Sequence, residues 1–261
     1  MTPRRVINML WIGSDLGRTE KLSVASFLAN GHPVHLHAYH DLAGVPDGTT
    51  VCDANEVVPF DVVSAWRHPK TGSYAAAADY FRYQLQRQSR GMWVDIDVVC
   101  MKPFEFDMRF VAGLEEEGVI SNAVLYIDAG EPVIGDLIDA FRPGSVPPWM
   151  TPRRRLKFTA FRLMGRTVPP PLYPWATFGP AALSYLARKH GLFDLAQPAD
   201  VFYPFHHSRA KWLFESGGSV GDILTDRTVS IHLWNEKIRE FKNMEPPSDS
   251  PLAELYRKFG I

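Results

Sequence analysis

Hydrophobic and polar positions divide the chain into segments that favour strands and helices in turn. An apolar run at 6–12, ended by a glycine, is typical of a buried parallel strand. Residues 19–30 carry leucine and alanine at helical spacing and end in Asn-Gly, a common helix stop. Strand-like runs follow at 33–39 and 50–59. This β-α-β opening predicts a parallel sheet with right-handed crossovers.

The same alternation continues along the rest of the chain. A Gly-Ser pair offers a helix N-cap before 74–90, where a further helix is predicted. Later elements are predicted as strands at 92–100, 119–127 and 228–234, and as helices at 131–141 and 179–190. We therefore predict an α/β fold with a mostly parallel central sheet flanked by helices, in one domain over residues 1–261.

Residues 142–171 differ in character from the other segments, because they contain seven basic residues, no acidic residue and prolines at both ends. We expect a basic insertion on the main domain. Within it, 153–164 predicts a short helix with an apolar face flanked by cations. That face consists of Leu156, Ala160, Leu163 and Met164. It fits peripheral contact with an anionic membrane, packing on the main domain, or arginines that bind an anionic glycan.

Composition and charge narrow the functional classes. The 261 residues have a net charge of -1, so no global field attracts nucleic acid, and we expect no nucleic-acid partner. Two cysteines provide neither a disulfide framework nor a zinc site. No apolar stretch reaches membrane-spanning length and no signal peptide is recognisable. These features predict a cytoplasmic protein, with the inner membrane face as the place of any peripheral contact.

Two carboxylates stand inside one apolar run. Asp95 and Asp97 are two positions apart, so their side chains would share one face of a regular strand. Carboxylates in apolar surroundings are costly unless a cation or hydrogen-bond donors meet them. Hard oxygen ligands at this density suit Mg²⁺ or Mn²⁺, with a diphosphate completing the coordination shell. The alternative is a pair of aspartates that cap loops or pair with arginines.

A second pair of charges lies on the preceding helix. Asp79 and Arg82 are three residues apart and therefore share one helical face. Arginine suits phosphate oxygens and sugar hydroxyls, and aspartate accepts hydrogen bonds from hydroxyls. The pair fits a site shared with Asp95 and Asp97, or a local ion pair of little energetic value.

Together these segments carry a family resemblance. The string SYAAAADYFRY at 73–83, followed by GMWVDIDVV at 91–99, resembles the D-x-D glycosyltransferases. That family includes fungal initiating mannosyltransferases and bacterial capsular polysaccharide transferases. Lactosylceramide α-1,4-galactosyltransferases are similar, and the large glucosylating toxins more distantly so. Weaker similarity runs from 6–13 to 232–235, nearly the whole chain.

The resemblance implies a GT-A-type fold and a metal-dependent, retaining transferase of polysaccharide biosynthesis. It would move a hexose from a nucleotide-sugar donor to a glycan or lipid-linked acceptor. Asp97 would bind Mn²⁺ or Mg²⁺ directly, and Asp95 would contact the ribose or reach the metal through water. Asp79 and Arg82 would hold the donor sugar and ribose.

Further donor contacts are implied at both ends of the chain. Trp11 and Ile12 would flank the nucleobase, although Trp11 also fits a core aromatic. Asn122 would lie near the donor sugar, or simply end a strand. His232 would be a third metal ligand or a plain strand histidine. Trp234 belongs to the C-terminal motif that closes over the diphosphate in relatives.

One motif departs from the family pattern. Residues 175–180, WATFGP, resemble the W-x-T-G-P turn before a helix, but Phe178 is an extra residue. The later pair His206-His207 lacks metal-pair spacing and is expected on a surface loop. A front-face path needs no dedicated nucleophile, whereas double displacement needs a carboxylate, for which Glu236 and Asp128 are candidates.

Two other functions remain open at this point. The string Asp95–Val98 with the late GDILTD at 221–226 also fits an aspartyl-phosphate, haloacid-dehalogenase-like phosphohydrolase. That family places its nucleophile after the first strand, whereas several elements precede Asp95 here. The second alternative is a non-catalytic domain that binds sugar nucleotides or glycans. Binding of a donor without turnover would distinguish it.

Overall fold

The protein is described by a computed structural model over residues 4–261. Its strands are β1 (Ile7–Trp11), β2 (Val34–Ala38), β3 (Thr50–Asp53), β4 (Met92–Val94), β5 (Val98–Cys100), β6 (Phe110–Glu116), β7 (Val119–Ile127) and β8 (Ser230–His232). Its α-helices are α1 (Arg18–Ala29), α2 (Phe60–Ala65), α3 (Ala75–Arg87), α4 (Val133–Asp139), α5 (Pro152–Leu163), α6 (Pro180–Lys189), α7 (Ala199–Phe202) and α8 (Pro251–Phe259).

The central sheet has six strands in the order β3-β2-β1-β4-β7-β6. The first four run parallel to one another, and β7 is antiparallel to both β4 and β6. A separate two-stranded sheet pairs β5 with β8 antiparallel. The mostly parallel sheet flanked by helices confirms the predicted α/β fold and is the arrangement expected of a GT-A-type fold.

Both faces of the central sheet are covered, as alternation along its strands shows. Met9 of β1 and Val94 of β4 lie in a cluster with α1 and α8. Their neighbours Leu10 and Trp93 point to the other cluster, with α3, α4 and α6. Because successive side chains point to opposite faces, each short strand anchors two hydrophobic layers. Within residues 4–261, no helix combines the length and apolar character needed to cross a bilayer.

The prediction of one strand over 92–100 is wrong. Val94 pairs with Val124 in the central sheet, whereas Val98 pairs with His232 in the small sheet. The chain therefore turns between the two sheets, and the backbone N–H of Val98 donates to the carbonyl of Asp95 at 3.0 Å. Asp95 and Asp97 consequently lie in a turn and not on a regular strand.

Candidate active site

Most of the residues predicted to carry chemistry surround one cavity of about 710 Å³, a size typical of small-molecule sites. Its wall combines one face of α3, the turn 95–97, the start of β7 and two later segments, 170–180 and 232–237. The turn follows the carboxyl end of β4, which is the edge where open α/β sheets bind ligands. The cavity therefore lies where the topology places a ligand.

The α3 helix presents one face to the cavity. That face consists of small residues and two charged residues. Ala75, Ala76, Asp79 and Arg82 line the wall. The N-cap of α3 is Tyr74, one residue after the predicted Gly72-Ser73, and the Ser73 hydroxyl accepts from the backbone N–H of Ala75 at 3.2 Å. Alanines in the first turn leave the cavity open, while Phe81 and Leu85 are buried in the core. The sequence thereby separates the packing face of α3 from its ligand face.

Arg82 joins the helix to the D-x-D turn. Its guanidinium lies 3.2 Å from an oxygen of Asp95 and 3.6 Å from Asp79, and it donates to the Asn122 carbonyl at 2.6 Å. It also lies over the ring of Trp93, 4.9 Å from the centroid. Burial opposes its charge, but Asp95 and Asp79 more than offset this, so the pKa of Arg82 is raised. Arg82 is thus a buried, fixed cation and not one half of a local surface pair.

Asp79 is held between an amide and a glycine. Its Oδ1 accepts from the Asn122 side-chain amide at 2.8 Å. A Cβ atom on Gly179 would come within 3.0 Å of its Oδ2, so the backbone approaches as closely as glycine allows. Burial raises the pKa of Asp79 to about 6, although Arg82 and Asn122 act in the opposite direction. The carboxyl group therefore changes charge near the acidic end of the physiological range.

The two carboxylates of the turn have different partners. Asp95 accepts from the indole N–H of Trp93 at 2.7 Å, and Asp97 accepts from the backbone N–H of Asn235 at 2.8 Å. Burial raises the pKa of Asp95, and Arg82 only partly opposes it. Burial also acts on Asp97, but His232 and the hydrogen bonds lower its pKa. Asp97 therefore keeps its negative charge to a lower pH than Asp95 does.

His232 reaches the turn through strand pairing. Because Val98 and His232 are partners in the small sheet, the imidazole Nε2 lies 3.1 Å from an oxygen of Asp97. Burial lowers the pKa of His232, but Asp97 outweighs it, so the net shift is upward. One ligand atom each of Asp95, Asp97 and His232 lies within 4.8 Å of the others. Two carboxylates and an imidazole fit a divalent cation.

Of the four other residues predicted to contact the donor, two line the cavity and two do not. Asn122 and Trp234 line the cavity, and the Trp234 ring lies 3.9 Å from that of His232. Trp234 adopts a left-handed backbone with φ of 58°, which is uncommon for a bulky residue. Trp11 ends β1 and Ile12 follows it at the same edge of the sheet, but neither residue lines this cavity. Their predicted contact with a nucleobase stays a prediction.

The additional Phe178 has a structural explanation. It is 4% exposed, and its ring lies 4.3 Å from that of Phe141. Its carbonyl accepts from the hydroxyl of Tyr83 at 2.8 Å, so the turn is tied to α3. The extra residue fills the core, and Gly179 still precedes the first residue of α6.

Three features of the cavity wall or of the residues behind it were missed from the sequence. His207, expected on the surface, lines the cavity, and its ring lies 5.8 Å from Trp234. Glu115 lines the same wall. Glu20 is 1% exposed and accepts from the side-chain amide of Asn235 at 2.7 Å, behind the residue that bonds Asp97. An acidic residue in the first turn of a helix usually signals only the helix start, so nothing marked Glu20.

Candidates for other chemistries lie elsewhere. Asp128 follows β7 at the end opposite Asn122 and accepts from the backbone N–H of Gly130. Asp222 caps a 3₁₀ turn through Ser219, and neither Asp222 nor Asp226 lines the cavity. The two-part motif expected of a phosphohydrolase is therefore not assembled, and that alternative is not favoured.

Part of the chain is similar to known proteins. The model of the alpha 1,4-glycosyltransferase conserved region matches residues 175–260. No curated protein matches the chain significantly. Among solved structures, the chain is similar to the PaToxG glycosyltransferase, with 15% identity over 72% of this chain and 71% of that one, and a TM-score of 0.48. The matched residues include Trp175, His232 and Trp234 of the cavity wall, so the similarity to alpha 1,4-glycosyltransferases covers part of the candidate site but less than half of the chain.

Proposed function

We propose that the chain is a metal-dependent, retaining glycosyltransferase that moves a hexose from a nucleotide-sugar donor to a glycan or lipid-linked acceptor. One observation carries this proposal. Ligand atoms of Asp95, Asp97 and His232 lie within 4.8 Å of one another. They share a cavity wall with Asp79 and Arg82. A cation site beside a fixed arginine and a buried carboxyl suits a sugar linked to a diphosphate.

The residues have separate tasks in this proposal. Asp97, with the lower pKa, and His232 hold the cation, and Asp95 completes the set or contacts the ribose. Arg82 places a fixed positive charge beside Asp95, where it would attract the phosphate oxygens of the donor. Asp79 and Asn122 are held together by a 2.8 Å hydrogen bond and face the sugar hydroxyls.

Catalysis rests on stabilising the leaving group. A divalent cation in such a site supplies Lewis-acid stabilisation of the departing diphosphate. Arg82 adds a preorganised charge that needs no rearrangement during the reaction. Burial of the site strengthens both effects, because charges interact more strongly where water is excluded.

Retention is best explained by a front-face path. The acceptor hydroxyl approaches the anomeric carbon on the side of the leaving diphosphate, whose oxygen takes the hydroxyl proton. Double displacement would need a free carboxylate beneath that carbon. Of the two candidates, Asp128 lies at the far end of β7, and Glu236 lines the cavity but is 71% exposed and paired with Arg239.

The test is a donor screen with the full chain. Nucleotide sugars are incubated with Mn²⁺, Mg²⁺ or chelator, and the released nucleoside diphosphate is measured beside the thermal shift. We expect slow hydrolysis of one donor class, loss of hydrolysis with chelator, and donor-dependent stabilisation. Stabilisation without turnover on any donor or acceptor indicates a binding domain. Hydrolysis of simple phosphate esters, without use of any nucleotide sugar, indicates a phosphohydrolase.

Stereochemistry needs a separate measurement. Proton NMR of the purified transfer product reports the anomeric configuration of the new linkage. We expect the configuration of the donor. An inverted anomeric signal rejects both retention and the front-face path, while leaving the donor assignment intact.

A further inference from the structure

The α5 helix lies outside both hydrophobic cores. None of its twelve residues is buried, and Leu156, Leu163 and Met164 are 73%, 80% and 61% exposed. Among the large apolar side chains of the described residues, these are three of the four most exposed. A scattered exposed leucine needs no explanation, but a cluster on one helix does.

The exposed side chains form one face. Leu156, Ala160, Leu163 and Met164 are spaced by four, seven and eight residues from the first, which places them on one side of the helix. The opposite side attaches the helix to the protein, since the ring of Phe158 lies 4.7 Å from that of Tyr173. The apolar face is therefore turned away from the main domain. Packing on that domain, one of the three interpretations of the pattern, is wrong.

The charged residues in the segment that carries this face are all basic. The segment 142–171 has seven basic and no acidic residues, whereas the rest of the chain has 21 basic and 29 acidic residues. Arg142 pairs with Asp139 at 2.8 Å. Among residues 4–261, no carboxylate lies within salt-bridge distance of the other six cations. They are Arg153, Arg154, Arg155, Lys157, Arg162 and Arg166.

The chain leads from this face directly to the cavity. Pro170, Tyr173 and Trp175 line the cavity wall. Trp175 is nevertheless 80% exposed, and Leu172 between them is 49% exposed. Tyr173 contacts α5 on one side and the cavity on the other. The apolar face and the mouth of the cavity thus belong to one continuous surface, with an exposed tryptophan at the rim.

We propose that α5, with Leu172 and Trp175, docks the protein on an anionic lipid bilayer and presents the mouth of the cavity to it. An apolar face bordered by free cations matches acyl chains beneath anionic headgroups. Tryptophan prefers this boundary. An anionic glycan would engage the cations but leave the leucines in water. A second copy of the chain would bring two sets of unpaired cations together. The inference does not depend on the glycosyltransferase chemistry.

Vesicle co-sedimentation tests the docking surface. Wild-type protein is mixed with vesicles of phosphatidylcholine alone or of phosphatidylcholine with phosphatidylserine, at low and high salt. We expect binding to the anionic vesicles only, weakened by salt because the Debye length shortens. The variant with Arg153→Ala, Arg154→Ala and Arg155→Ala should bind roughly 100-fold more weakly. The matched control, with Lys70→Ala, Arg87→Ala and Lys258→Ala, removes three exposed cations elsewhere and should bind as wild type.

A second variant separates docking from simple charge attraction. Leu156→Gln with Leu163→Gln keeps every cation and should lower anionic-vesicle binding at least about 10-fold, since two apolar side chains lose their contact with the lipid. Both variants should keep the wild-type circular dichroism spectrum because the replaced residues are exposed. Undiminished binding of the glutamine variant overturns apolar docking.

Other outcomes also overturn the inference. Absence of binding to either vesicle type rejects it outright. Retention on an anionic polysaccharide matrix without vesicle binding assigns the arginines to a glycan instead. A concentration-dependent dimer in sedimentation velocity, abolished by the glutamine variant, assigns the face to a second copy. None of these results affects the donor screen, so the two proposals fail separately.

Discussion

The α3 and α5 helices are of nearly equal length and both carry arginine, yet the arginines have opposite surroundings. Arg82 of α3 has a side chain that is 6% exposed and meets two carboxylates and a backbone carbonyl. The arginines of α5 are exposed, and no carboxylate of the described chain lies within salt-bridge distance of them. Residue spacing therefore identifies which side chains share a face of a helix. The elements packed against that face determine whether its arginines are buried and paired or exposed.

The largest loss of activity is expected from a substitution in the turn at 95–97. Asp97→Asn should lower donor turnover by at least about 100-fold, a typical loss for a principal charge-stabilising group. Nucleoside diphosphate release in Mn²⁺ or Mg²⁺ measures it. Asp128→Asn is the matched control and should retain activity, since its side chain lies at the far end of β7. Wild-type turnover of Asp97→Asn, or of wild type in excess chelator, removes the cation from the mechanism.

Arg82→Ala should damage both folding and donor use. Removing one partner from a buried charge network costs about 3–5 kcal/mol, because Asp79 and Asp95 lose their shared cation. Chemical denaturation measures this loss. Arg154→Ala on α5 should change stability by less than about 0.5 kcal/mol.

Arg82→Lys distinguishes a structural role from a role in donor binding. Lysine keeps the charge but cannot donate to several acceptors in the same plane. We expect a folded protein whose kcat/KM for the donor falls at least about 10-fold. Unchanged kinetics in the folded variant would make the pair structural.

The dependence of stability on pH tests the environment of Asp79, on the same face of α3. Because burial raises its pKa from 3.8 to about 6, the folded state holds this proton more tightly than the unfolded state. Its favourable contribution is complete below pH 4 and is lost as the pH rises through 6. The shift corresponds to about 3 kcal/mol at most. Relative to Asp79→Asn, wild type should therefore lose stability between pH 4 and 7. A difference independent of pH contradicts the raised pKa.

Gly179→Ala should show how closely the turn approaches α3. A methyl group would meet Asp79 and Asn122 at 3.0–3.1 Å, so overpacking of about 1–3 kcal/mol is expected. Donor affinity should fall as Asp79 is displaced. Gly135→Ala in α4 meets nothing within 4 Å and should be neutral or slightly stabilising, as alanine favours helices. Equal melting temperatures for the two variants would show that the turn at Gly179 can move away from α3 without loss of stability.

The fold could be predicted where the pattern is local. The strand at 119–127 agrees with β7 at both ends, because apolar residues dominate the segment and Gly118 marks the turn before it. The break at Asp95–Asp97 could not be predicted, since it depends on strands that follow about 30 and 130 residues later. The strand β6 and helix α8 were missed, although Ser250 and Gly260 supply an N-cap and a left-handed stop for α8.

The site was predictable to the extent that its residues form motifs. Asp79, Arg82, Asn122 and His232 come together with the D-x-D turn as the resemblance implies. Trp11 and Ile12 reach the correct edge of the sheet but not the cavity wall. Glu20 meets Asn235 across 215 positions of sequence, and no local pattern records such a contact.

The turn at 95–97 belongs to two sheets at once, and this divides the site into separable halves. The backbone N–H of Asp95 is bonded to Ala123 of the large sheet, while the carbonyl of Asp97 accepts from Leu233 beyond the small sheet. Arg82, Asp79 and Asn122 stand on the large-sheet side, whereas His232 and the N–H of Asn235 come from the C-terminal segment. Loosening β8 would therefore remove His232 and the Asn235 N–H from Asp97, whereas Arg82, Asp79 and Asn122 would stay in place. Under the proposed function, the groups that would bind the sugar and those that would hold the cation are thus supplied largely by different parts of the chain.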